Sequence, residues 1–249
     1  MTGGLDIRAE HAGLRVDLRA LARPYRGGVR NDSYSGSGHP FLNVSAPELR
    51  ATVRAWLAGH RGASDADLIA MADSLFAGET HEEKTLGALL LGASARARRA
   101  ATPAMVDGWL GQLNGWAEVD ALCASVFGAE DLAGDWPAWL ALIERLSRDA
   151  DINKRRGALV LLTTATRTSD DVRFRDLAFQ VVDQLKGERP ILLTKAVSWL
   201  LRSLSGRHGP AVERYLELNA ASLPPVAVRE TRTKLRTGTK SGRTRAGSR

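Results

Sequence analysis

A chain of 249 residues can bury a substantial core, and 44% hydrophobic with 25% charged residues is the composition of a soluble globular protein. Its single cysteine, Cys123, excludes internal disulfides, a thiolate zinc site and an iron–sulfur cluster. The formal charge of +7 sits at one end: between Arg229 and Arg249 eight Lys/Arg stand against one Glu, so residues 1–228 are neutral overall. Any polyanion binding by the body must therefore come from how its arginines are arranged.

Apolar runs without charge, such as the eleven residues from Thr85 to Ala95, fall short of the roughly 18 that a membrane span needs. The start, Met1-Thr-Gly-Gly-Leu-Asp, lacks the apolar segment of a signal peptide, so a cytoplasmic location without membrane partners is expected. His81-Glu-Glu-Lys superficially matches a zinc-protease helix, but position 85 is Thr and not His; no metal and no other cofactor is expected.

Leu5 to Arg23, with apolar Leu14, Val16, Leu18 and Leu21 among charges, reads as one helix. A Gly/Ser/Pro-rich break follows from Pro24 to Pro47. Ser45 with Glu48 three residues on forms a capping box, and from there helical stretches alternate with short Gly, Pro or Asp punctuation. They fall at 45–58, 64–77, 80–99, 103–113, 115–127, 135–148, 151–165, 171–186, 189–205, 209–220 and 224–236. Leu159-Val-Leu-Leu is the nearest thing to a strand, and its capped helical neighbourhood outweighs it. Helix pairs recurring every roughly 35–45 residues predict an all-α solenoid of antiparallel hairpins, with alternate helices lining a concave, electropositive face. One domain over 1–236 and a basic, disordered tail over 237–249 are expected.

Trp116 and Asp120 lie four residues apart in Asn114-Gly-Trp-Ala-Glu-Val-Asp and should project from one helix face. Arg156 lies in Lys154-Arg-Arg-Gly-Ala-Leu, and Trp199 in Lys195-Ala-Val-Ser-Trp-Leu-Leu-Arg202. Two indoles, a carboxylate and a guanidinium on helices suit a cationic, sugar-like transition state on a polyanion. Each residue also has a plainer reading. The tryptophans can fill the core between hairpins, as is expected of Trp56, Trp109, Trp136 and Trp139. Asp120 can be a solvated carboxylate, the basic run at 154–156 a solvated face, and Arg202 the partner of Glu188 or Glu213. Arg96-Ala-Arg-Arg99 is explained by its place at a helix C-terminus.

Taken in order, these motifs resemble those of the bacterial AlkD-like DNA glycosylases, a HEAT-like-repeat family that excises alkylated purines. The resemblance covers about residues 30 to 235. Tyr34 and the following Pro40-Phe-Leu-Asn-Val-Ser-Ala-Pro-Glu-Leu-Arg50 are similar to the family's first motif, with Asn43 where Gly is usual. Trp116 to Asp120 resembles its central Trp-x-x-x-Asp helix, Gly115 replacing a second Trp, and Asn153 stands where a Trp commonly precedes the arginine motif. The resemblance implies catalytic roles for Asp120, Trp116 and Trp199. It implies DNA contacts for Tyr34, Arg156 and Arg202, in a basic setting that includes Lys195, Lys154 and Arg155.

The implied activity is monofunctional hydrolysis of the N-glycosidic bond of cationic N3- or N7-alkylated purines in duplex DNA. The base has no close-fitting pocket, and the enzyme is a monomer that is nucleoid-associated when bound. Two other classes stay open: a catalytically inactive HEAT-like scaffold for DNA or protein partners, and a tail-driven nonspecific DNA binder. Joint retention of Trp116, Asp120 and Trp199 favours the enzyme.

Overall fold

Side-chain caps decide where several helices begin. At Ser45, Ser64 and Thr80 the carboxylate three residues on (Glu48, Asp67, Glu83) accepts the cap's own backbone N–H at 3.0, 2.9 and 2.9 Å. The computed structural model describes residues 4–24 and 36–242, and among them fourteen helices and no strand. They are α1 (Ile7–Leu21), α2 (Ala46–Gly59), α3 (Asp65–Phe76), α4 (His81–Ala93), α5 (Ala95–Ala100), α6 (Pro103–Leu110) and α7 (Gly115–Ser125). Then follow α8 (Ala129–Gly134), α9 (Trp136–Leu146), α10 (Ile152–Thr168), α11 (Val172–Leu185), α12 (Ile191–Leu204), α13 (Gly209–Asn219) and α14 (Pro225–Thr237).

The chain divides into two compact units, Met1–Phe127 and Gly128–Arg249. In the second, α8, α10, α12 and α14 form a row in which each helix packs on the next, while α9, α11 and α13 pack across it as a second row. In the first, α2, α4 and α7 form one row and α1, α3 and α5 the other. Two rows of stacked hairpins in each unit are the expected all-α solenoid-like architecture. α10 touches α8, α9, α11 and α12, so Leu159 to Leu162 are fully buried, as in a helix that is apolar all round.

Several boundaries differ from the sequence reading. The expected 80–99 helix is two, because the Ser94 hydroxyl accepts the Ala97 N–H at 3.2 Å and starts α5. Six-residue α8 is a helix where none was expected; Asp131 accepts the Gly128 N–H at 2.8 Å at its start. In α1, Leu14 and Leu18 are buried but Val16 is 64% exposed, since two residues turn a helix by about 200°. Trp56, Trp109 and Trp139 are core residues as expected, whereas Trp136 is half-buried, its ring edge-on to Phe174 at 5.4 Å. No helix among the described residues is long and apolar enough to cross a membrane.

The segment 36–45 has no helix of its own and is pinned by its neighbours. The Leu42 and Asn43 N–H groups donate to buried Glu82 at 2.9 and 2.8 Å, His81 N–H donates to Pro40 O at 3.0 Å, and Phe41 stacks on His81 at 4.3 Å. Asn43 has φ +61°, the conformation its place in a glycine position implied. The preceding residues 25–35, which hold part of the Gly/Ser/Pro-rich break, lie outside the described residues.

Glu83 is likewise buried. Burial pushes its pKa up, but bonds from His11 Nε2 at 2.9 Å and from the Thr80 hydroxyl at 2.7 Å outweigh this and lower it to about 2. A depressed carboxylate pKa contributes stability that is complete above about pH 4.5 and is lost as pH falls from there to about 2. Replacement by Gln is therefore expected to cost on the order of 3 kcal/mol at neutral pH. The gap from wild type should close progressively below pH 4.5, as read from urea midpoints at pH 7 and pH 3. Equal gaps at both pH values would show that Glu83 contributes no linked proton.

Candidate functional site

The central motif begins α7. Asn114 is extended, and Gly115 then takes φ +72°, which an L side chain rarely adopts. A Cβ on Gly36 would lie in ordinary contact 3.5 Å from the Gly115 Cα, so segment 36–45 runs close against the helix start. The positive φ is the physical reason for Gly115 where the resembling family often carries Trp. Along α7, Trp116, Ala117, Asp120, Ala121 and Ala124 are half-buried, whereas Glu118, Val119, Leu122 and Cys123 are buried. Trp116 and Asp120 thus share the outward face, as their spacing predicts.

The buried carboxylate of the motif is Glu118, which the sequence reading passed over. It is 1% exposed and accepts from the Asn114 N–H at 2.9 Å and the Ser37 hydroxyl at 2.5 Å. His39 Nδ1 and His81 Nδ1 lie 3.0 and 3.1 Å from its oxygens. Burial pushes its pKa up, but His81, the Asn114 N–H, Ser37 and the nearby His39 outweigh burial and hold it below the usual carboxylate value. Burial also pulls down the pKa of Lys84, which donates to Phe76 O at 2.8 Å, while Glu118 and Glu83 act in the opposite sense. Glu118 thereby ties segment 36–45 to α4 and to the first turn of the Trp116–Asp120 helix. Its signal in the sequence was its register, two residues from Trp116 and beside Val119, which places a carboxylate on the apolar face. Among the described residues no group of three or more His, Cys, Asp or Glu is placed to hold a metal ion.

Across the α2–α4–α7 row runs a groove of about 440 Å³, lined by Arg50 and Arg54 of α2, Thr85 and Leu89 of α4, and Ala121 and Ser125 of α7. Both arginines are exposed and have no carboxylate partner among the described residues. Arg50 closes the first of the resembling motifs, whereas Arg54 was not singled out from the sequence, although its i, i+4 spacing from Arg50 was legible.

In the second unit, Lys195, Trp199 and Arg202 are at least partly exposed at i, i+4 and i+7 of α12, so they share one face. The counter-ion of Arg202 is neither Glu188 nor Glu213 but Glu230 of α14. Arg202 Nε is 3.4 Å from Glu230, Lys195 and Lys240 are at 3.8 and 3.5 Å, and buried Ser198 donates to the same carboxylate at 2.7 Å. Burial pushes the Glu230 pKa up, but Ser198 and the three cations outweigh it, so the carboxylate is charged at neutral pH. Burial lowers the Arg202 pKa and Glu230 opposes it. Three cations on one carboxylate leave this cluster net positive.

Arg156 is 4% exposed, and its guanidinium donates to Leu192 O, joining α10 to α12. Arg155 donates to Asp149 O and Ala150 O at 2.7 and 2.8 Å and pairs with Glu188 at 3.2 Å. Lys154 lies 3.9 Å from Asp149. The structure therefore brings Trp116 together with Asp120, and Lys195 and Trp199 with Arg202, while Arg155 and Lys154 are engaged at the start of α10. Tyr34 lies outside the described residues.

The sequence model of a family described as DNA alkylation repair enzyme matches residues 14–235. The fold is similar to that of a solved structure, a predicted DNA alkylation repair enzyme from Enterococcus faecalis. That match has a TM-score of 0.64 and 17% identity, and covers 94% of this chain and 99% of that one. No curated protein matches the sequence significantly.

Proposed function

Because this chain belongs to the family of DNA alkylation repair enzymes, we propose that it is a monofunctional DNA glycosylase of base excision repair. It hydrolyses the N-glycosidic bond of purines alkylated at N3 or N7. The observation that best supports this reading is the shared, half-exposed face of Trp116 and Asp120 on α7, anchored from its buried side by Glu118. Such a purine is cationic, so the leaving group needs no protonation. When the bond breaks, its electron pair neutralises the base, and positive charge passes to the sugar as an oxocarbenium ion. Asp120 stabilises that charge, orients the attacking water and accepts its proton. The indoles of Trp116 and of Trp199 each offer a π face suited to deoxyribose, and Tyr34 is assigned a DNA contact.

Arg202 and Lys195, at least partly exposed, hold phosphates beside the lesion, and buried Arg156 steadies α12 beneath them through its bond to Leu192 O. Residues 1–236 act as one domain and as a monomer, on the backbone of duplex DNA rather than by base flipping. Selectivity then follows from the lability of cationic lesions. Duplexes carrying 7-methylguanine, 3-methyladenine, a bulky N7 adduct or a neutral lesion such as ethenoadenine, compared under single turnover, test this. Release of the cationic bases, bulky one included, with the neutral one retained is the expected result. Equal release of the neutral lesion would require a base-reading pocket and contradict the proposal.

A further inference from the structure

The last helix separates its charges. Its one carboxylate, Glu230, is turned inward onto Ser198, Lys195 and Arg202. Its lysine, Lys234, is engaged with the chain, donating to Gly238 O at 2.6 Å, and Lys240 beyond it pairs with Glu230. The three arginines do neither. Arg229, Arg232 and Arg236 are at least partly exposed, have no carboxylate partner among the described residues, and repeat at i, i+3 and i+7. At about 100° per residue they cluster about 125° around the helix from Glu230, on a face apart from the Lys195–Arg202 cluster. With Ala220, Leu223 and Val228 they line one open groove beside the α13–α14 turn.

The terminal helix of a solenoid needs a polar outer face for solubility. That need is met by mixed charges, whereas this face of the helix itself carries arginine alone, Glu213 and Glu217 of α13 lining a separate groove with Arg232 and Arg236. Arginine, with its planar fork of donors, is instead the side chain suited to phosphate oxygens. From Arg229 to Arg236 the helix rises about 10 Å, the axial rise of about three phosphates on one strand of duplex DNA. The apolar groove wall offers a surface for the sugar edge. Residues 1–228 are neutral, whereas residues 229–242 carry five Lys/Arg against one Glu, so the net positive charge of the described chain lies on and just beyond this helix.

We propose that Arg229, Arg232 and Arg236 form a second docking surface for the sugar–phosphate backbone of duplex DNA, outside the catalytic face and independent of base identity. The proposal rests on the reading of DNA as the substrate. Its test is the affinity of the full chain for an undamaged duplex as a function of salt. The Arg229→Gln, Arg232→Gln, Arg236→Gln triple variant should bind about tenfold or more weakly at low salt. Its log–log salt slope should fall by about two to three, near 0.9 for each phosphate that the protein no longer neutralises. A variant with Arg8→Gln, Arg19→Gln and Arg61→Gln removes the same charge from exposed positions in the first unit and should change the slope by less than about one. Replacement of the stripe by three lysines should keep most of the slope and guards against a folding defect in the Gln variant. If stripe and control variants weaken binding equally, or the stripe variant does not weaken it, the face is a solubilising cap and the proposal is overturned. If the wild type itself shows no salt-dependent duplex binding, the DNA reading fails and takes this surface with it.

Discussion

Asp120→Asn is expected to slow single-turnover release of 7-methylguanine from duplex DNA about a hundred- to a thousandfold, or ~3–4 kcal/mol. The amide preserves size and hydrogen-bonding capacity, so what is removed is the negative charge that meets the oxocarbenium ion as it forms. The loss belongs to the transition state and not to the ground state. Affinity for the same DNA should survive or rise, because a carboxylate near phosphates has gone. The neighbouring carboxylate of α7 does not substitute for it: Glu118 is buried on the opposite side and fully engaged. Wild-type excision by Asp120→Asn would remove Asp120 from the chemistry and favour the scaffold reading.

Glu118→Ala should be the most damaging single change to the stability of the first unit. It leaves His39, His81, the Ser37 hydroxyl and the Asn114 N–H facing a cavity without their acceptor, and it takes from buried Lys84 one of its two opposing charges. Breaking one side of a buried ionic network costs about 3–5 kcal/mol. For a chain of this size that lowers the melting temperature by roughly 6–20 °C. Glu118→Gln keeps an acceptor oxygen and should fall between the two. Because the folded-state pKa of Glu118 is depressed, its contribution is present above the ordinary carboxylate range and is lost as pH falls through the folded value. The wild-type advantage over Glu118→Ala should therefore shrink in acid. A thermal scan of Glu118→Ala that overlays the wild type at pH 7 would refute the network's role.

Sequence and structure part company where partners are distant along the chain. Helix starts set by a residue and its carboxylate three positions later, at Ser45 or Thr80, are local events and were legible. The break at Ser94 was not, since Gly92 and Ser94 are each tolerated inside a helical run and no Pro marks the stop. Six-residue α8 is too short to display a helical period. The face shared by Trp116 and Asp120 follows from four-residue spacing alone. By contrast, Glu118 finds Ser37 across 81 positions and Glu230 finds Ser198 across 32, pairings that only the packed rows create. The same reason explains Arg202: acids on adjacent helices were plausible partners, and the geometry of α12 on α14 selected another. Arg156, expected at a phosphate, is buried as a tie from α10 to Leu192, a role no spacing rule discloses.

The most direct test of the central claim is the chemical identity of the product. Duplex DNA bearing one 7-methylguanine, incubated with excess wild-type protein, should yield free 7-methylguanine by mass spectrometry and an equal amount of abasic site in an unbroken strand. DNA that is bound but returns neither free base nor abasic site would contradict the account.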